Sequence, residues 1–208
     1  MEIFSSIGVL LGSSWASGVN LYLSMAGLGI AHRMEWIKLP GDLEIISHPL
    51  IVGIAIFLFF VEFVADKVPY IDSLWDSVHT FIRPLAGAAI GYTAMADSSQ
   101  LIQIVVALLT GGIALDSHLI KATSRLAINA SPEPVTNSIA SVTEDATVIG
   151  TLYLILHHPF VIAILVTLFI IFSLWFLRKM FRFVKRVFSL SDTGRPKDSN
   201  LLTVNGSQ

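Results

Sequence analysis

Apolar residues gather into six runs, at about 5–31, 49–65, 84–97, 101–116, 146–157 and 160–177. A helix needs about 20 residues to cross a hydrocarbon core of about 30 Å. The third and fifth runs reach that length only if flanking residues join them. The pattern predicts an all-α polytopic membrane bundle of about six transmembrane helices. Pro49, Pro84 and Pro159 each head an apolar run and read as helix starts, where a missing backbone N–H costs little. Ser47 is the expected cap of the second helix, and Ser141 with Glu144 reads as a capping box that starts the fifth. Pro40-Gly41, Pro69 and Pro132-Glu133-Pro134 read as breaks.

Composition removes the soluble alternative. The 208 residues are 54% hydrophobic and 13% charged, with a mean hydropathy of +0.74. A soluble domain is about 25% charged, and a chain this apolar does not stay solvated as a disordered one. There is no cysteine, so disulfides, thiolate metal sites and cysteine nucleophiles are excluded. Met1-Glu2-Ile3-Phe4 lacks the basic start of a secretory signal, so the first run is expected to stay in the protein.

The net charge of −2 is unevenly spread: residues 178–208 hold seven of the 13 basic residues and two of the 15 acids. The expected division is a transmembrane domain over 1–178, followed by a basic amphipathic segment and disordered cytoplasmic tail over 179–208. Phe181, Val184, Val187 and Phe188 can share one face there, with basic residues around them. Such a segment suits anionic lipid headgroups, not nucleic acid. Basic residues collect on the cytoplasmic side of membrane proteins. With six crossings both termini are then cytoplasmic, Lys67, Arg83, Lys121 and Arg125 fall near that side, and only Arg33 and Lys38 lie opposite. The expected location is a cell inner membrane. The partners expected are the bilayer, anionic headgroups at the tail and, as an open alternative, a second copy in a homo-oligomer.

Leu10-Leu11 through Leu28 can be laid on Leu108-Leu109 through Leu126, which matches Ala16 to Ala114 and Asn20 to His118. Both stretches carry small residues, Gly12-Ser13-Ser14 through Gly18 in one and Thr110-Gly111-Gly112 in the other. With six spans this register gives a three-plus-three inverted repeat, with a site between the first and fourth helices. A competing register sets His48-Pro49 on His158-Pro159 and excludes the first. Gly8-x-x-x-Gly12 and Gly87-x-x-x-Gly91 also suit plain close packing of helices.

Two charged stripes carry the candidate chemistry. Glu62 and Asp66 are four apart, and Asp72, Asp76, His79 and Arg83 follow at helical spacing. His118, Lys121 and Arg125 share one face of the fourth helix. The first stripe is either a solvated surface or a polar face turned into the bundle, and the second is either an interfacial anchor or a binding surface for an anion or for those carboxylates, because charges within spans are costly and usually face an interior. Glu144-Asp145 reads as a helix-start dipole complement with Lys121 or Arg125 as further partners. An acid is expected against at least one of Lys121, Arg125 and Arg83. The six histidines form no metal-ligand spacing, and no cofactor or metal is expected. No nucleophile elbow or nucleotide loop is present.

The segments Val61–Lys67, Asp72–Asp76, His79–Gly87, Ser117–Arg125 and Ser131–Pro134 resemble the DUF4126 family of multi-pass membrane proteins, over roughly residues 5–175. The resemblance implies architecture and brings no mechanism. The leading expectation for function is a small transporter or lipid-handling protein that recognises an anionic group. Arg83, His118, Lys121, Arg125 and Asn20 would bind it. Glu62, Asp66, Asp72, Asp76, His79, Glu144 and Asp145 would balance charge or relay protons. The alternatives are a membrane enzyme acting on lipid and a non-catalytic scaffold. A mid-depth cavity favours transport, a pocket opening to headgroups favours an enzyme, and a packed interior favours a scaffold.

Overall fold

The computed structural model describes residues 2–129 and 134–192. Its elements are α1 (Glu2–Val19), α2 (Leu21–Arg33), a 3₁₀ helix (Gly41–Ser47), α3 (Pro49–Ala65), α4 (Pro69–Ala94), α5 (Gln100–Asn129), α6 (Pro134–His157) and α7 (Pro159–Asp192). The protein is an all-α helical bundle. Three of these helices are long and apolar enough to cross a membrane: Gln100–Asn129, Val135–His157 and Pro159–Lys179. A fourth span results if the 3₁₀ helix and α3, bent by 65°, count together. Two compact units part between Ile170 and Ile171, inside α7. The first holds α1 to α6 and the start of α7. In the second, α7 continues to Asp192 with Lys179 over the Trp175 ring. The expected tail beyond Asp192 and the side chains of Phe181, Val184, Lys185, Arg186, Val187 and Phe188 lie outside the described residues, as do Pro132 and Glu133.

The first run is not one helix. It breaks at Asn20, whose backbone is extended (φ −144°, ψ 101°). Asn20 Oδ1 accepts from the Leu23 amide at 3.0 Å and so caps α2, a role asparagine fills well. The two halves run in opposite senses. Gly8 packs on Pro159 and Gly12 on Ile155 and Ile162, so α1 starts where α6 meets α7. Asn20 then reaches Asp145, near the middle of α6. Beyond it the chain turns back: Leu23 packs near Val148, Gly27 on Leu152, and Gly29 on Ile46 and Val52 beside the 3₁₀ helix. α1 and α2 therefore form a hairpin that enters from one end of the bundle and leaves by the same end.

This corrects the six-crossing path. The start of α1, the 3₁₀ helix, the α4–α5 turn and the α6–α7 corner share one end; the α3–α4 turn with Lys67 lies at the other. Because α2 retraces depth instead of adding it, the start of α1 and Lys67 lie at opposite ends of the bundle. Reporter insertions after Ser6 and at Asp97 should therefore read the same side, and one at Lys67 the opposite side. Ser6 and Lys67 reading alike would refute the hairpin.

Other expectations shift with the elements. The third run joins the charged stripe before it, so Pro84 lies inside α4, where it has no N–H to give the Thr80 carbonyl. The fourth run extends through its cationic stripe to Asn129 without interruption at Thr110–Gly112. The fifth starts at Pro134, which places Ser141, Glu144 and Asp145 mid-helix and removes both the capping box and the helix-start role. His48, not Ser47, caps α3, with Nδ1 accepting from the Leu50 amide at 3.3 Å.

The bundle is divided in depth. Toward the 3₁₀ end an apolar core joins Val9, Leu28, Leu43, Ile90, Ile113, Ile155 and Ile162. Leu50, Ile54, Phe57, Phe60 and Val64 of α3 and Leu101, Val105 and Leu108 of α5 face outward, as lipid-facing side chains do. From Asn20 toward the Lys67 end the interior is polar.

Candidate functional site

Asn20 sits where the apolar core gives way to charge. Its Nδ2 donates to Asp145 Oδ1 at 2.9 Å. Ending α1 there leaves carbonyls without helical partners. Arg83, fully buried at 0% exposure in mid-α4, supplies them: Nη1 donates to Gly18 O (2.6 Å) and Val19 O (2.9 Å). The same guanidinium binds Glu62 of α3 through Nη2.

Arg83 also fixes a histidine. Nη1 lies 3.0 Å from His118 Nδ1. Arginine only donates, so Nδ1 is the acceptor and His118 is neutral. Its Nε2 then carries the hydrogen and donates toward Thr80 Oγ1 (3.0 Å) and Asp76 O (3.2 Å). His79 is the converse: Nδ1 faces the Trp75 carbonyl at 2.8 Å, which leaves Nε2 to accept from Tyr22 O–H at 3.0 Å. Tyr22, in the first turn of α2, thereby ties the hairpin tip to α4.

Closer to the Lys67 end the ion pairs are denser. Lys121 Nζ meets Glu62 (3.2 Å), Asp66 (3.3 Å) and Glu144 (3.4 Å). Arg125 grips Glu144 with two bonds, Nε to Oε1 at 2.9 Å and Nη2 to Oε2 at 2.8 Å. Its Nη1 donates to the carbonyl and side-chain oxygens of Asn137 at 3.0 and 3.2 Å. Arg125 Nη2 also lies 3.3 Å from Asp66. Asp72 accepts from Asn129 Nδ2 at 2.7 Å and stands 3.9 Å from Arg125 Nε. Lys67 rims the cluster, donating to Phe63 O at 2.8 Å over the Phe63 ring. Partial burial lowers its ammonium pKa, against the opposing pull of Asp145 and Asp66.

Every residue expected at the site thus reaches one buried cluster, contributed by α1 to α6. Arg83, Lys121 and Arg125 are buried and engaged by Glu62, Asp66 and Glu144. Six carboxyl groups, Glu62, Asp66, Asp72, Asp76, Glu144 and Asp145, share the cluster with these three cations. Asp76 is 5% exposed, and neither of its oxygens has a hydrogen-bond partner. Among the described residues, no three of the His, Asp and Glu side chains are arranged to hold a metal ion.

The two small-residue segments pack against neighbouring helices. Gly12 packs on α6 and α7, Gly18 on Ala114 and Ser117, and Thr110 and Gly111 on Gly87, Gly91, Pro84 and Ala88 of α4. Ser13, Ser14 and Ser17 are buried and return their hydroxyls to carbonyls of α1. These segments bring helices together. Tyr22, Thr80, Asn129 and Asn137 join the site without having been singled out. A buried asparagine in an otherwise helical stretch was the one available signal.

No curated protein and no solved structure matches the chain. A family model described as a domain of unknown function, DUF4126, matches residues 7–179. That match covers most of the sequence, and the chain belongs to the DUF4126 family.

Proposed function

We propose that this is a membrane transport protein for a cation, with its path at the tip of the α1–α2 hairpin. The observation that supports it is a helix break at Asn20, beside the middle of α6, over a buried cluster with more carboxyl groups than cations. Uncompensated buried charge costs several kcal/mol per ion, roughly, even after relaxation. Continuous helices with apolar cores would avoid that cost, and intramembrane ionisable groups commonly mark ion or proton pathways. Broken helices ending near the midplane expose backbone groups only where those groups serve a buried site. The Lys67 end, where Lys67 and the ends of the charged helices lie, faces the cytoplasm in this reading. Recognition of an anionic group is set aside because the cations are already engaged.

The test is flux through the purified protein in sealed vesicles. Under an imposed membrane potential, proton, sodium and potassium entry should each be read with an ion-specific dye. At least one should exceed protein-free vesicles and fall severalfold in Glu62→Gln. Vesicles no leakier than protein-free controls to all three ions would favour the scaffold reading. The close packing of Gly18, Thr110 and Gly111 is the observation behind that reading.

A further inference from the structure

Between α4 and α5 lies a cavity of about 220 Å³, lined by Asp76, Ser77, Thr80, Leu119, Ala122 and Arg125 among others. Asp76 is buried by side-chain and backbone neighbours (5% exposed), lines this cavity, and has no hydrogen-bond partner on either oxygen. A buried carboxylate in that state lacks compensation that a native interior normally provides. We infer that Asp76 is the proton-accepting site of the protein, loaded from water in the α4–α5 cavity.

The surroundings select a proton over a metal cation. At about 30 Å³ per molecule the cavity has room for several waters. A sodium or calcium ion would need several oxygen ligands together. Here the Ser77 hydroxyl is turned to the Ser73 carbonyl and the Thr80 hydroxyl to the Asp76 carbonyl. A proton needs one carboxylate oxygen. The step balances simply: hydronium in the cavity gives its proton to an Asp76 oxygen and leaves as water.

The charged and titratable groups around Asp76 are Glu62 and Asp66 on α3, His118, Lys121 and Arg125 on α5, and Asp72, His79 and Arg83 on its own helix. Burial opposes the carboxylate most, Lys121 and Arg83 favour it, and Asp66 and Glu62 oppose it. Since those cations are also engaged by Glu62 and Asp66, a proton on Asp76 relieves the negative excess without disturbing the pairs. His118 Nε2–H donates to the Asp76 carbonyl and to Thr80, so loading at Asp76 lies one residue's length from the Arg83 clamp on α1. This inference deepens the cation-transport reading and rests on it for its role.

Infrared spectra of the purified protein in lipid, scanned from mildly acidic to mildly alkaline pH, test it directly. A carboxylic-acid C=O band should persist near neutral pH and move when aspartate is isotopically labelled. It should shift in heavy water and lose intensity in Asp76→Asn. Ala122→Leu, which fills the cavity, should keep the band and slow its heavy-water shift severalfold. A band unchanged in Asp76→Asn overturns the assignment. So does the lack of any aspartate acid band in labelled wild-type protein, which requires no variant to fold. The spectra need no gradient. Vesicles without flux from protein with the Asp76 band would remove the transport reading and leave the site, and flux without the band would do the reverse.

Discussion

Arg83→Leu should leave little folded protein. The side chain is fully buried and serves four partners at once: the Glu62 carboxylate, the Gly18 and Val19 carbonyls that end α1, and His118. Removing one member of a buried ion pair costs about 3–5 kcal/mol, because the other charge is left buried. Each orphaned carbonyl adds about 1–3 kcal/mol. The whole stability of a domain is about 5–15 kcal/mol, so this one substitution removes most of it. Arg83→Lys should lose less. One ammonium can hold Glu62 but cannot fork to the carbonyls as a guanidinium does. The double variant Arg83→Leu with Glu62→Leu should recover stability over the single, since apolar replacement of both partners is often near neutral. It should not reach wild type, because the Gly18 and Val19 carbonyls stay orphaned. Thermal unfolding followed by tryptophan fluorescence in detergent gives the ranking. Arg83→Leu within about 1 kcal/mol of wild type would mean the clamp carries no such weight.

The dependence on Arg83 comes from where the first run breaks, and that position was only half legible in the sequence. The small residues from Gly12 to Gly18 marked the region. They proved to be contact surface, with α1 continuous through all of them. The break falls one residue past Val19, at Asn20, whose side chain can cap α2. The return of α2 was not legible, since an apolar run has the same periodicity whether it crosses or doubles back. The stripes were legible because Asp72, Asp76, His79 and Arg83 repeat at helical spacing, and helical spacing survives any tertiary arrangement. Which charges meet depends on depth instead. The sequence reads Glu144 as a first-turn residue, with Lys121 or Arg125 as further partners. Starting α6 at Pro134 carries Glu144 inward to both cations and brings Asn137 to Arg125.

Those same depths explain why the polar interior is stable at all. Each of the three cations touches acids from more than one helix or pairs an acid with backbone: Arg83 joins α1, α3 and α4, Lys121 joins α3, α5 and α6, and Arg125 joins α3, α5 and α6. Cations shared this way hold α1 and α3 to α6 in register where apolar packing has ceased. Among the described carboxylates of the cluster, Asp76 alone is left outside the exchange with both oxygens unpartnered.

Gly18→Val should destabilise the protein by about 3 kcal/mol, the upper end for overpacking. α1 crosses α5 at this glycine, and a Cβ there would run into Ser117 Oγ and the Ala114 carbonyl. A serine hydroxyl can turn aside, but a helix backbone cannot, so Ser117→Ala should rescue only a small part. The Ser117 hydroxyl also donates to Trp15 O at 2.9 Å, a bond that pushing the helices apart would lengthen. The Gly18 carbonyl is one of the two that Arg83 holds, so displacement at the crossing also strains the clamp. Gly112→Ala is the control. No atom lies within 4 Å of a Cβ at Gly112, and alanine there removes a helix-interior glycine, worth about 1 kcal/mol in stability. Thermal midpoints in detergent should therefore move in opposite directions for the two variants. Gly18→Val as stable as wild type would show that α1 and α5 do not approach at this residue, and the hairpin tip would lose its support.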